Sequence, residues 1–179
     1  MNAITQPQPY ASLIAVGAKT IETRSWSTSY RGPLVIHAGA APPEHGLRLG
    51  AKGPITTAEY LVSYPAVPSA RSTPVLLDLC NEETIPLPLG AVVASCRLVD
   101  VVPIIDGYHE QPGGVRFVAI QGDGTFLYSP GAGRCWDLAK QLPFGDFTPG
   151  RYAWLLEDVE AVTPPIPARG RSGLWSWTP

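Results

Sequence analysis

The sequence has 179 residues, enough for one domain with a full hydrophobic core, and 45% of them are hydrophobic. With 18 glycines and 20 prolines it is suited to turns and short strands rather than long helices. A net charge of −2 excludes a broad basic surface of the kind that follows duplex phosphates, while leaving room for a small basic mouth around a pocket.

The first element is a short helix over Pro9 to Val16. Pro9 suits the N1 position because it has no N–H to leave unpaired, and Gly17 suits the left-handed residue that ends a helix. From Thr20 the pattern changes to alternation with β-branched residues, which predicts a strand. Strand geometry then places Thr20, Glu22, Arg24 and Trp26 on one side, with Lys19 reaching over the same face from the turn. An ammonium, a carboxylate, a guanidinium and an indole converge there, in a chain that is only 16% charged. The plainer alternative is a solvated strand edge, whose surface ion pairs contribute under ~1 kcal/mol.

Leu34 to Ala38 reads as a short apolar strand, closed by a break at Gly39-Ala40-Ala41-Pro42-Pro43. His37 ends that apolar run, as a hydrogen-bonded core histidine or as a functional one. Residues 44–72 read as an irregular helical excursion, with a Thr cap and an acid in the first turn at Thr56 to Val62. Residues 73–90 are a connection. Ala91 to Val102 is the strongest strand signal, dense in Val and bounded by Gly90 and Pro103. Val115 to Ile120 reads as a strand or a short helix.

Gly122 to Thr125 and Ser129 to Arg134 read as surface loops. The second lacks the Gly-Lys-Ser/Thr ending of a phosphate-cradling loop. Trp136 to Leu142 reads as one or two helical turns. A turn at Phe147 to Gly150 leads into a strand over Arg151 to Val159, in which Tyr152, Trp154 and Leu156 share one face and fill the core. The tail from Pro164 to Trp175 is too rich in Pro and Gly for a helix and is expected to pack back, with Trp175 and Trp177, across a barrel end. One early helix, five or six short strands, long decorated connections and no βαβ alternation together predict an α+β fold: a small β-barrel with flanking helices and long inserted loops.

No apolar run approaches the ~18 residues of a membrane helix, and the first residues lack a signal-peptide pattern. Cys80, Cys96 and Cys135 form neither a C-x-x-C pair nor a disulfide framework. With His37, His45 and His109 they show no zinc spacing, so the pattern calls for no metal and no cofactor. Cys96 is expected as a small core hydrophobe, and a cytoplasmic, non-membrane protein is the expectation.

Three blocks carry a resemblance: Gln8-Pro9-Tyr10-Ala11-Ser12-Leu13-Ile14, then Gly17-x-Lys19-x-x-Glu22-x-Arg24-Ser25-Trp26, then Tyr30 to Ala38. Together they resemble the ASCH family (activating signal cointegrator homology), whose G-x-K-x-x-E-x-R signature is complete here at Gly17, Lys19, Glu22 and Arg24. Leu87 to Ala94 and Gly150 to Glu157 resemble its later strands. The resemblance implies a single domain over residues 1–179 with insertions near 40–75 and 104–146. It also implies a PUA-like barrel, the fold of the PUA, YTH and EVE domains, relatives that bind RNA or modified bases.

Carried onto this chain, the resemblance implies a cleft for single-stranded RNA or a modified nucleobase or nucleoside. Lys19, Glu22 and Arg24 line it, Trp26 is placed to stack, and Arg31 and His37 are further binding candidates. Stacking contributes ~1–3 kcal/mol per base, so one aromatic with two cations suffices for a small ligand. Some ASCH-like proteins are amidohydrolases on acylated cytidine or ribonucleases; in that alternative Lys19 is the base and Glu22 its orienter or acid. The small amidohydrolases pair the lysine with a threonine nucleophile where this chain has Glu22. A third alternative is a protein-interaction module docking through Trp175, Trp177 and the Pro-rich tail.

Overall fold

A computed structural model describes residues 1–41, 87–104, 117–119, 126–129, 133–138, 141 and 144–179. The helical excursion over 44–72 and the loop at 122–125 lie outside the described residues.

Nine strands and one helix are found among the described residues: β1 (Asn2–Gln6), α1 (Tyr10–Ala15), β2 (Ile21–Arg24), β3 (Gly32–Ala38), β4 (Ala91–Pro103), β5 (Phe117–Ala119), β6 (Phe126–Ser129), β7 (Arg134–Asp137), β8 (Tyr152–Pro167) and β9 (Leu174–Ser176). Six of the strands hydrogen-bond in the order β2-β8-β4-β3-β1-β9, and the other three in the order β5-β6-β7. In the longer order β2 and β9 each have a single neighbour. The described strands therefore make no closed ring, and α1 is the only helix among the described residues. The expected barrel holds in part, as a six-stranded mixed sheet that stays open, and α+β holds only loosely.

The chain divides into two compact units. The first comprises Met1–Ala18, Pro33–Cys96 and Val159–Pro179; the second comprises Lys19–Gly32 and Arg97–Asp158. Both β4 and β8 contribute residues to each.

In the first unit, β1 runs parallel to β3, with Thr5 opposite His37, and antiparallel to β9, with Ala3 opposite Trp175. The sequence pattern gives no strand at Asn2–Gln6, and the parallel pair departs from the purely antiparallel arrangement that short loops favour. Parts of the tail are strand, where the sequence reading expected only a non-helical segment packing back. β8 continues through Pro167, and β9 carries Trp175 into a cluster with Ala3, Val35, Val92 and Trp177. Both tail tryptophans are buried, so neither is an exposed docking surface. The helix matches its expected place, with Pro9 at the N-cap rather than N1. Gly17 follows at φ +75°, the conformation in which a Cβ costs about 1 kcal/mol or more, and its N–H donates to the Ile14 carbonyl at 2.8 Å.

In the second unit, β2 pairs antiparallel with β8, setting Ile21 against Leu155, Glu22 against Trp154, Thr23 against Ala153 and Arg24 against Tyr152. Residues opposite each other point to the same side of the pair. Ile21, Ala153 and Leu155 therefore join Val102, Ile104, Trp136, Leu138 and Phe147 in a core, while Glu22, Arg24, Tyr152 and Trp154 share the other face. Trp136 belongs to strand β7 and not to the helical turns expected there; it pairs with Leu127 of β6. Ser129 of β6 pairs with Arg134 of β7, and residues 130–132 of the expected loop lie outside the described residues. Phe117–Ala119 is a strand, which resolves the ambiguous segment. Cys96, in the first unit, is a buried free thiol pushed up to about 12 by burial.

Candidate ligand site on strand β2

The three charged side chains of the opening motif meet. Lys19, 1% exposed, places its Nζ 3.2 Å from Glu22 Oε2. The other carboxylate oxygen, Oε1, lies 3.1 Å from Arg24 Nε. One carboxylate is thus held between two cations, and exposure rises along the row, from the buried ammonium to a guanidinium side chain 21% exposed. Burial pulls the Lys19 pKa below its ordinary 10.5; the Glu22 carboxylate pulls it back up, and Arg24 pushes it down.

The ammonium also meets two backbone carbonyls. Nζ donates to the Ile21 carbonyl at 2.8 Å and to the Phe144 carbonyl at 2.5 Å. Phe144 belongs to a segment that wraps β2 at several points. Gln141 Oε1 accepts from the N–H groups of Thr20 and Ile21 at 2.9 and 3.2 Å. Thr23 Oγ1 accepts from the Asp146 N–H at 3.1 Å. The Arg151 guanidinium lies 3.4 Å from the Asp146 carboxylate and donates to the Thr23 carbonyl at 3.5 Å. Asp146 is itself held in an Asx turn, accepting from the Thr148 N–H and hydroxyl at 3.0 and 2.7 Å. Those hydroxyl and amide bonds, with Arg151, hold its carboxyl below the usual carboxylate range.

Trp26 lies past the end of β2, half-buried, with its ring edge-on to Trp154 at a centroid distance of 4.7 Å and an interplanar angle of 81°. Trp154 is fully buried, and its Nε1–H donates to the Trp26 carbonyl at 3.3 Å. Because Trp154 stands opposite Glu22, the indole pair and the charge row occupy the same side of β2 and β8. The sequence reading assigned Trp154 to core filling alone.

The remaining candidates, Arg31 and His37, make contacts of their own. Arg31 spends its guanidinium on structure: Nη2 and Nε reach Asp100 Oδ1 at 2.8 and 3.3 Å, and Nη1 donates to the Thr28 and Tyr30 carbonyls at 2.9 and 2.8 Å. His37 belongs to the first unit, 1% exposed, with Nε2 3.0 Å from the Ala168 carbonyl and its ring edge-on to Trp175. A carbonyl only accepts, so Nε2 carries the hydrogen. Gly170 packs so close to this ring that a Cβ there would lie 2.5 Å from Cε1.

Sequence reasoning missed Gln141, the Phe144 carbonyl, Thr23 and Asp146. Gln141 lies 120 residues from Ile21, and a backbone carbonyl leaves no trace in residue type. Among the described residues no helix is long and apolar enough to cross a membrane. A search of curated proteins finds none that matches the chain. Residues 5–162 match the sequence model of the ASCH domain, with the completed G-x-K-x-x-E-x-R motif inside that span; the chain belongs to the ASCH domain family.

Proposed function

We propose that this chain is a nucleic-acid-binding domain that takes single-stranded RNA or a modified nucleobase against the charge row of β2. The observation that carries the reading is the carboxylate of Glu22 held between Lys19 and Arg24, on the same side of the sheet as the Trp26 ring. A buried ion cluster is costly to build and weak as a stabiliser, so a binding role is a reason to keep one. Arg24 meets a phosphate or a carbonyl edge, Glu22 accepts from an exocyclic amine, and Trp26 offers a ring face to the base. Family membership supports the coarser part of this reading, since ASCH domains are generally thought to bind RNA. Fold kinship by itself does not fix a ligand. Arg31 and His37 are not needed for it.

Thermal shift against a panel of nucleosides and short oligonucleotides tests the proposal. One class is expected to stabilise the chain, and Arg24→Ala to abolish that stabilisation. A shift retained in the variant moves the site away from β2.

A hydrolase is the second reading, favoured by the lowered pKa of Lys19, which is the direction a general base requires. Incubation with fluorescent RNA and with N4-acetylcytidine decides it; no turnover, with or without added metal ions, retires it.

A further inference from the structure

We infer that Lys19 is a positioning residue, holding Glu22 and the Phe144 segment in place from behind the site and touching no ligand itself. The inference rests on the binding reading for its functional consequence and on geometry for its substance.

An ammonium has three donors and no acceptor. This one meets three oxygens among the described residues: Glu22 Oε2, the Ile21 carbonyl and the Phe144 carbonyl. All three only accept. A neutral amine in the same place would turn its lone pair toward one of these oxygens, which repels it, so the surroundings fit the charged form. With its three protons committed and its side chain 1% exposed, Lys19 presents no donor to an incoming phosphate or base.

What it does instead is mechanical. One bond reaches forward to Ile21 at the start of β2, one crosses 125 residues of sequence to Phe144, and one fixes the carboxylate whose other oxygen meets Arg24. Glu22 and Arg24 therefore form the ligand-facing part of the row. The proton-abstracting role that the hydrolase reading gives Lys19 has no free lone pair to work with here.

Two measurements decide it. The first needs no ligand: in ¹⁵N-lysine-labelled protein, the Lys19 Nζ signal, assigned by its loss in Lys19→Met, should be that of a charged ammonium at neutral pH. Lys19→Met should also speed hydrogen exchange at the Asp146 amide by roughly tenfold, because the segment loses its tie to β2. A neutral amine, or unchanged exchange in a folded variant, overturns the inference.

The second is a double-mutant cycle read by anisotropy of a fluorescein-labelled, mixed-sequence single-stranded RNA oligonucleotide. Lys19→Met should weaken binding by roughly tenfold in the natural background and hardly at all beside Glu22→Gln, since it acts through Glu22. Equal losses in both backgrounds mean that Lys19 contacts the RNA directly, and overturn the inference. If the natural chain binds no oligonucleotide, the binding reading fails, while the charge state and the Asp146 exchange still decide the role of Lys19. Should Lys19→Met fail to fold, Lys19 is assigned instead from its coupling to the Phe144 carbonyl, and the charge state decides alone.

Discussion

Glu22→Gln tests the electrostatics of the charge row most directly. The substitution keeps the shape of the side chain and removes the carboxylate that offsets the burial of Lys19. Breaking a buried ion pair by removing one partner costs about 3–5 kcal/mol. Here the ammonium keeps the Ile21 and Phe144 carbonyls, and the new amide oxygen also accepts, so the lower end, about 3 kcal/mol, is expected. For a chain of this size that corresponds to a fall in Tm of ~6–12 °C.

The pH dependence carries a second, independent sign. Without the carboxylate, the Lys19 pKa moves further below 10.5. Between that lowered native value and 10.5 the unfolded chain holds a proton that the native chain has shed, so stability rises with pH across the window. Calorimetry from about pH 7 to about pH 10 should therefore show the deficit of Glu22→Gln narrowing as pH rises. A deficit under ~2 °C, or one that does not change with pH, would refute the view that Glu22 compensates a buried charge.

Three further outcomes follow from other positions. Gly17→Ala places a Cβ at φ +75° with no atom within 4 Å, so its cost is conformational alone, about 1 kcal/mol in a urea titration, and Gly17→Asn should cost less; an unchanged midpoint contradicts the helix-ending role. Gly170→Ala drives a Cβ to 2.5 and 2.7 Å from His37 Cε1 and Nδ1 and 2.9 Å from Thr5 Oγ1, which should cost about 1–3 kcal/mol and loosen the tail; amide exchange at Trp177, whose N–H donates to the Met1 carbonyl, reads that loosening. Cys96, with its thiol pushed up to about 12, should resist alkylation at mildly alkaline pH in the native chain and react in urea; equal rates by peptide mass spectrometry would show the site open.

The local parts of this structure were legible in the sequence because their causes are local. Pro9, Gly17 and the alternation from Thr20 specify a helix, its end and a strand within a dozen or so residues. The period of two puts Glu22 and Arg24 on one side and turns Thr23 away. What stayed hidden depends on distant partners. Nothing near Lys19 indicates that a carbonyl at Phe144 will take one of its protons, and nothing near Trp154 marks it as the neighbour of Trp26. Trp136 misled for a related reason: Trp136 to Leu142 has helix-compatible residues, but Cys135 and Trp136 are paired to Tyr128 and Leu127, and ladder pairing overrides weak local preference. The strand at Asn2–Gln6 was overlooked because five mixed residues form a strand only when β3 and β9 flank them.

That last dependence orders events during synthesis. β1 is made before β3 and meets it after about thirty residues, yet its other edge stays unsatisfied until Leu174–Ser176 leave the ribosome. Until then the nascent chain carries an open strand edge and no tryptophan cover over Ala3 and Val35. A stalled or shortened product ending before residue 174 is accordingly the form most exposed to chaperones and to aggregation.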